Sequence, residues 1–79
     1  MDKTVEYWKN MEYAVKTVAP YWEHKDEWEV FDRLSGKFLD ISDFTKQHLF
    51  DLTSDVIWNW HSITEEEYNN IVKWEGAGE

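Results

Sequence analysis

Apolar and polar positions alternate along the chain in ways that suggest several helices. Over residues 4–19, Tyr7, Trp8, Met11, Ala14, Val15 and Val18 fall in one arc of a helical wheel, with Glu6, Lys9, Glu12, Tyr13 and Lys16 opposite. Thr4 suits the N-cap, Glu12 and Lys16 stand at i,i+4, and Pro20 cannot continue the helix. The pattern predicts a long N-terminal helix. Residues 43–60 repeat the signature: Leu49, Leu52, Val56 and Trp60 line one arc, widened by Phe50 and Ile57, and the pattern predicts a central helix. Residues 65–74 predict a short final helix. Thr64 is its N-cap, Glu67 completes a capping box, and Ile63 and Tyr68 are placed as a hydrophobic staple. Gly76 ends it, and residues 75–79 are expected to fray.

Residues 27–41 fit two patterns. As a β-hairpin, Arg33-Leu34-Ser35-Gly36 would make a turn with a left-handed glycine, Trp28 and Val30 would share a face with Leu39 and Ile41, and Phe31 and Phe38 would share the other. As a helix, Trp28, Phe31 and Leu34 would line one side. The hairpin is preferred because KFLDI is rich in strand-forming residues and needs a partner. The expected fold class is α+β, mainly helical: a long N-terminal helix, a small central hairpin and two C-terminal helices, with an all-α four-helix arrangement as the alternative. Trp8, Met11, Val15, Leu49, Leu52, Val56 and Trp60 are the expected core.

Length then limits the picture. A chain of 79 residues is expected to form a single domain. At this size only about 60–65% of the unfolded surface is buried, so stability is marginal. There is no Cys to supply disulfides; the compensation is aromatic mass, with six Trp, four Tyr and four Phe. The N-terminal stretch has no apolar h-region of a signal peptide, and no apolar run approaches a membrane span. A cytoplasmic location is expected.

Charge narrows the partners. Seventeen Asp and Glu against eight Lys and Arg give a formal charge of −9. Such a chain is repelled by nucleic acids and anionic membranes and attracted to basic protein surfaces. The asymmetry is local: Asp40, Asp43, Asp51, Asp55, Glu65, Glu66 and Glu67 face Lys46 alone between residues 40 and 67. On the helical wheel Trp58 lies beside Asp51 and Asp55 and away from Leu49 and Trp60, as an exposed interface anchor would. These seven acids and Trp58 are the candidate partner-binding residues. Glu65, Glu66 and Glu67 also have a local explanation, since acids in a first helical turn favour the positive end of its dipole.

No catalytic chemistry is legible. His24, His48 and His61 lack metal-ligand spacing, no calcium or phosphate loop is present, and there is no Cys or G-x-S-x-G nucleophile. Neither an enzyme, a metal nor a cofactor is expected. In size, lack of Cys, charge and the acid run around Trp58, the chain resembles small acidic host-takeover and anti-defence proteins of bacteriophages, several of which mimic DNA. That resemblance implies an inhibitor occupying the basic nucleic-acid-binding surface of a host enzyme. ITEEEYNNIV is also similar to the ITxEEYxxI ending of a family of very small phage tail-region proteins. A second function class stays open, a structural or adaptor module that self-associates or binds a protein through exposed aromatics. Oligomeric state is not legible.

Overall fold

A computed structural model describes residues 3–20, 22–54 and 58–76. Its centre is a five-stranded antiparallel sheet in the order β4-β3-β2-β1-β5. The strands are β1 (Thr4–Lys9), β2 (Tyr13–Ala19), β3 (Glu29–Asp32), β4 (Lys37–Phe38) and β5 (His61–Ile63). Among the described residues two helices accompany it, α1 (Lys46–Leu52) and α2 (Glu65–Glu75). A single 3-10 turn, Lys25–Glu27, precedes β3.

The sheet replaces the long N-terminal helix. Residues 4–19 are a β-hairpin with Trp8 opposite Val15 and Tyr7 opposite Lys16. Asn10 makes the turn. Its Oδ1 accepts from the backbone N–H groups of Glu12 at 2.8 Å and Tyr13 at 2.7 Å, an Asx turn that needs no glycine. The helical wheel failed for a physical reason. β2 is the middle strand and is covered on both sides, so Ala14, Val15, Thr17 and Val18 are all buried. A strand buried on both faces shows no apolar–polar alternation. Its apolar residues can then fit a 3.6-residue period by chance. Met11, expected in the core, sits in the turn and is 90% exposed.

β3 and β4 form a hairpin, with Phe31 opposite Phe38 and Asp32 opposite Lys37. Gly36 takes φ 72°, in the left-handed region, and its N–H donates to the Asp32 carbonyl at 2.8 Å. The two phenylalanine rings meet edge to face at 5.2 Å.

The single central helix over 43–60 does not form either. α1 spans Lys46–Leu52 and closes at Thr53, whose N–H bonds back to Leu49 and Phe50 carbonyls. Trp58 and Trp60 lie beyond it, and Asn59 between them has φ 55°. Asn is among the few side chains that enter this region readily. The chain then extends into β5, which pairs Ser62 with Trp8 on β1. Val56, an expected core residue, lies outside the described residues.

Register shows how the two helices are placed. Val15 and Val30 are partners across β2 and β3, and they pack with Leu49 and Leu52 of α1. The neighbouring partners Ala14 and Phe31 pack with Tyr68 of α2. Successive strand residues point to opposite faces, so α1 and α2 cover opposite sides of one sheet. Trp28 joins the α1-side cluster, its indole N–H bonded to the Val18 carbonyl at 3.0 Å. Trp60, half-buried, packs against the same cluster.

Met11 separates this fold from a helical one, with Leu49, buried in either, as the core reference. Leu49→Ala should cost roughly 2–5 kcal/mol through lost burial and a residual cavity. Met11→Ala should change stability by less than about 0.5 kcal/mol, as exposed substitutions do. Urea denaturation of the two variants measures both.

Candidate functional site

The α1 side carries the features that could meet a partner. There the last residues before β5 fold back over the sheet. Trp58 and Trp60 stack with ring centroids 6.1 Å apart and planes 21° from parallel, and Tyr13 meets Trp58 edge to face at 5.8 Å. Their polar atoms are tied down. Trp58 Nε1 donates to the Asp51 carbonyl at 2.8 Å and Trp60 Nε1 to the Leu52 carbonyl, both at the end of α1. Asn10 Nδ2 donates to the Trp58 carbonyl at 2.9 Å, so the first turn of the chain anchors this segment.

Trp58 is therefore half-buried and packed against the core cluster rather than projecting from a helix. Two clefts flank the stacked indoles. One, of about 290 Å³, is lined by Trp58 with Tyr13, Val30, Leu39, Phe44, His48, Asp51 and Leu52. The other, of about 270 Å³, is lined by Trp60 with Glu6, Trp8, Val15, Thr17, Leu52 and Thr53.

The candidate acids divide between the two layers. Asp40 and Asp43 are exposed in the loop leading to α1, whose Ile41 and Phe44 pack on the α1-side cluster. Asp51 is exposed on α1 and accepts from Gln47 Nε2 at 2.8 Å. The Ser42 backbone N–H, donating to Asp40 Oδ1 at 2.9 Å, holds the Asp40 carboxyl below the usual range. Asp55 lies outside the described residues. Glu65, Glu66 and Glu67 are exposed in the first turn of α2, over the opposite face. Thr64 Oγ1 accepts from Glu67 N–H at 3.1 Å, while Glu67 Oε1 accepts from Thr64 N–H at 3.3 Å, a reciprocal cap. Glu65 accepts from the Tyr7 hydroxyl at 3.2 Å. The structure thus puts Asp40 and Asp43 in the loop before α1, Asp51 on α1 and Glu65, Glu66 and Glu67 on α2; the described candidates do not share one helical row.

Few of the acids are neutralised. Among the described residues three ion pairs occur, Lys3–Glu27, His24–Glu27 and Arg33–Glu75. The last is bidentate, with Arg33 Nε and Nη2 on the two Glu75 oxygens at 2.8 and 2.9 Å, and it holds the Glu75 carboxyl below its ordinary value. Arg33 Nη1 also donates to the Asn10 carbonyl at 2.7 Å, joining both hairpin turns to the end of α2. Among the described residues no other acid has a cationic side chain within ion-pair distance.

Sequence reasoning missed Phe50. It belongs to α1 beside Asp51 and is 72% exposed, the position expected of Trp58. Counting Phe50 as widening the apolar arc concealed it; a helix of seven residues resting on a sheet buries a narrower stripe, here Leu49 and Leu52. The Glu6, Trp8 and Thr17 grouping was equally hidden, because it depends on the β1–β2 register. Among the described residues no three His, Asp or Glu side chains converge as a metal-binding group. His48 caps α1 instead, accepting from the Thr45 N–H at 3.0 Å. No helix among the described residues is long and apolar enough to cross a membrane.

Thr64→Ala should lower stability by about 0.5–2 kcal/mol through the vacated cap, read as a shift in urea midpoint. Tyr68 gives a pH signature. Burial first, then the hydrogen bond its hydroxyl donates to Glu29 Oε1 at 2.9 Å, push its pKa far above the ordinary value. The folded pKa exceeds the unfolded one, so this contribution is fully present below about pH 10 and is lost as pH rises beyond it. Urea midpoints should therefore fall on the alkaline side, and Tyr68→Phe should flatten that fall. Comparison with family models, curated proteins and solved structures finds no match for this chain.

Proposed function

We propose that this chain is a non-enzymatic binding protein that engages a basic protein surface in the cytoplasm, occupying the nucleic-acid-binding groove of an enzyme. The observation that carries this reading is the uncompensated charge. A formal net charge of −9 is set against three ion pairs among the described residues, which engage only Glu27 and Glu75 as acids. Like charges left unpaired weaken a compact fold, and a small domain has little stability to spare. A basic partner that uses the field offsets that cost.

The contact is centred on the α1 layer. Asp40, Asp43 and Asp51 supply attraction, and exposed Phe50 supplies contact area in the place the sequence assigned to Trp58. Trp58 contributes by holding the end of α1 through its indole N–H. Glu65, Glu66 and Glu67 extend the field without sharing the contact. A second reading is an adaptor that self-associates through aromatics; exposed Trp74 on α2, 78% accessible, favours it.

The two readings separate by salt and by concentration. Candidate partners are basic proteins captured at low salt and released at high salt, and duplex DNA should compete with the chain for them. For such a partner, neutralising Asp40, Asp43 and Asp51 together should slow association and flatten its salt dependence, because steering acts through long-range fields. Phe50→Ala should mainly speed dissociation, by about 2 kcal/mol or more if it is the anchor. Both variants should stay folded. Salt-independent affinity, or affinity untouched by the triple neutralisation, rules out the acidic-mimic reading. Concentration-dependent oligomers in sedimentation, abolished by Trp74→Ala, would support the adaptor.

A further inference from the structure

We propose that the cleft bounded by β1, β2, the end of α1 and Trp60 is a binding site for the alkylammonium head and stem of a lysine side chain. Its chemistry differs from that of the open acidic surface. Glu6 and Thr17 are register partners across β1 and β2, and Trp8 and Val15 are the partners two positions on, so all four share the α1 face. They line one cleft with Leu52, Thr53 and Trp60.

Each wall has a distinct role. Val15 and Leu52 offer aliphatic surface to an unbranched stem. Trp8 and Trp60 have their N–H groups engaged elsewhere, Trp8 Nε1 on Thr17 Oγ1 at 3.1 Å and Trp60 Nε1 on the Leu52 carbonyl, which leaves ring carbon surface for the cleft. Aromatic rings attract cations through their quadrupole, most strongly when water is excluded. Glu6 is half-buried, and its carboxylate has no hydrogen-bond or ion-pair partner among the described residues. A glutamate and two tryptophans lining one cleft call for a cation with an apolar body. At about 270 Å³ the cleft falls below the roughly 300–1,000 Å³ of drug-sized sites, and it suits one long side chain. A primary ammonium is favoured over a quaternary one because Glu6 and the threonine hydroxyl oxygens can accept its N–H groups.

This inference rests on the cleft alone and survives or fails independently of the acidic-surface reading. n-Butylammonium serves as the probe, with 1-butanol as its neutral counterpart and tetramethylammonium as the quaternary one. Binding is followed by NMR at the Trp8 and Trp60 indole N–H resonances. n-Butylammonium should shift both saturably, 1-butanol should not, and tetramethylammonium should bind more weakly. Glu6→Gln should weaken n-butylammonium by about tenfold, the loss of one charge-assisted contact. Glu23→Gln removes the same charge at an exposed position outside this cleft and should leave the affinity unchanged. Equal binding of 1-butanol, or tighter binding of tetramethylammonium, overturns the assignment on the unaltered protein. So does an affinity that Glu23→Gln lowers as much as Glu6→Gln.

Discussion

The burial of β2 on both faces is the constraint on which the rest of this structure depends. Ala14 and Val15 are adjacent in sequence and point to opposite sides, and neither retains more than 1% of its exposure. Each side must therefore be covered by a separate element. α1 covers the side of Val15 and Val30, and α2 covers the side of Ala14 and Phe31. A chain of 79 residues has little left after building a sheet and two layers. The covering elements are short, and large rings fill what longer helices would otherwise bury. Tyr68, reaching through its layer to Glu29, and Trp28, bonded to the Val18 carbonyl, show the cost of using such rings: each polar atom must find a partner.

The same economy shapes the surface. The α1 layer is too narrow to enclose every ring near it, so Phe50 stays outside while Trp58 and Trp60 lean on the end of the helix. The stacked indoles leave clefts on either side, each with one carboxylate in its wall, Asp51 in one and Glu6 in the other. On the opposite face, three glutamates open α2 where the helix dipole favours them. The acidic character that looked like a single row along one helix is thus distributed over two layers. One part is organised by helix capping, and another surrounds an aromatic surface.

Asn10 and Arg33 hold the far end of the sheet. Asn10 closes the first turn, grips Trp58 and receives Arg33, which clamps Glu75 at the end of α2. Neither residue has an apolar pattern to announce it. Asn10 lies in the middle of a plausible helix, and its turn role emerges only when the chain returns antiparallel, with Ala14 opposite Lys9. Arg33 reads as a turn residue and acquires its partners from segments 23 and 42 residues away.

Local signals were legible wherever the physics is local. Thr64 and Glu67 cap a helix because a hydroxyl and a carboxylate three residues apart satisfy free N–H groups at one helix end, whatever lies nearby. Gly36 turns a hairpin because it enters the left-handed region without strain. Composition alone set the formal net charge of −9. The strands of residues 4–19 were not legible, because alternation marks only strands with one wet face, and whether β2 has one depends on both helices docking. Trp58 and Phe50 exchanged their expected places for the same reason. Which aromatic is covered follows from where α1 ends and how the chain turns at Asn59, and the sheet beneath them decides both.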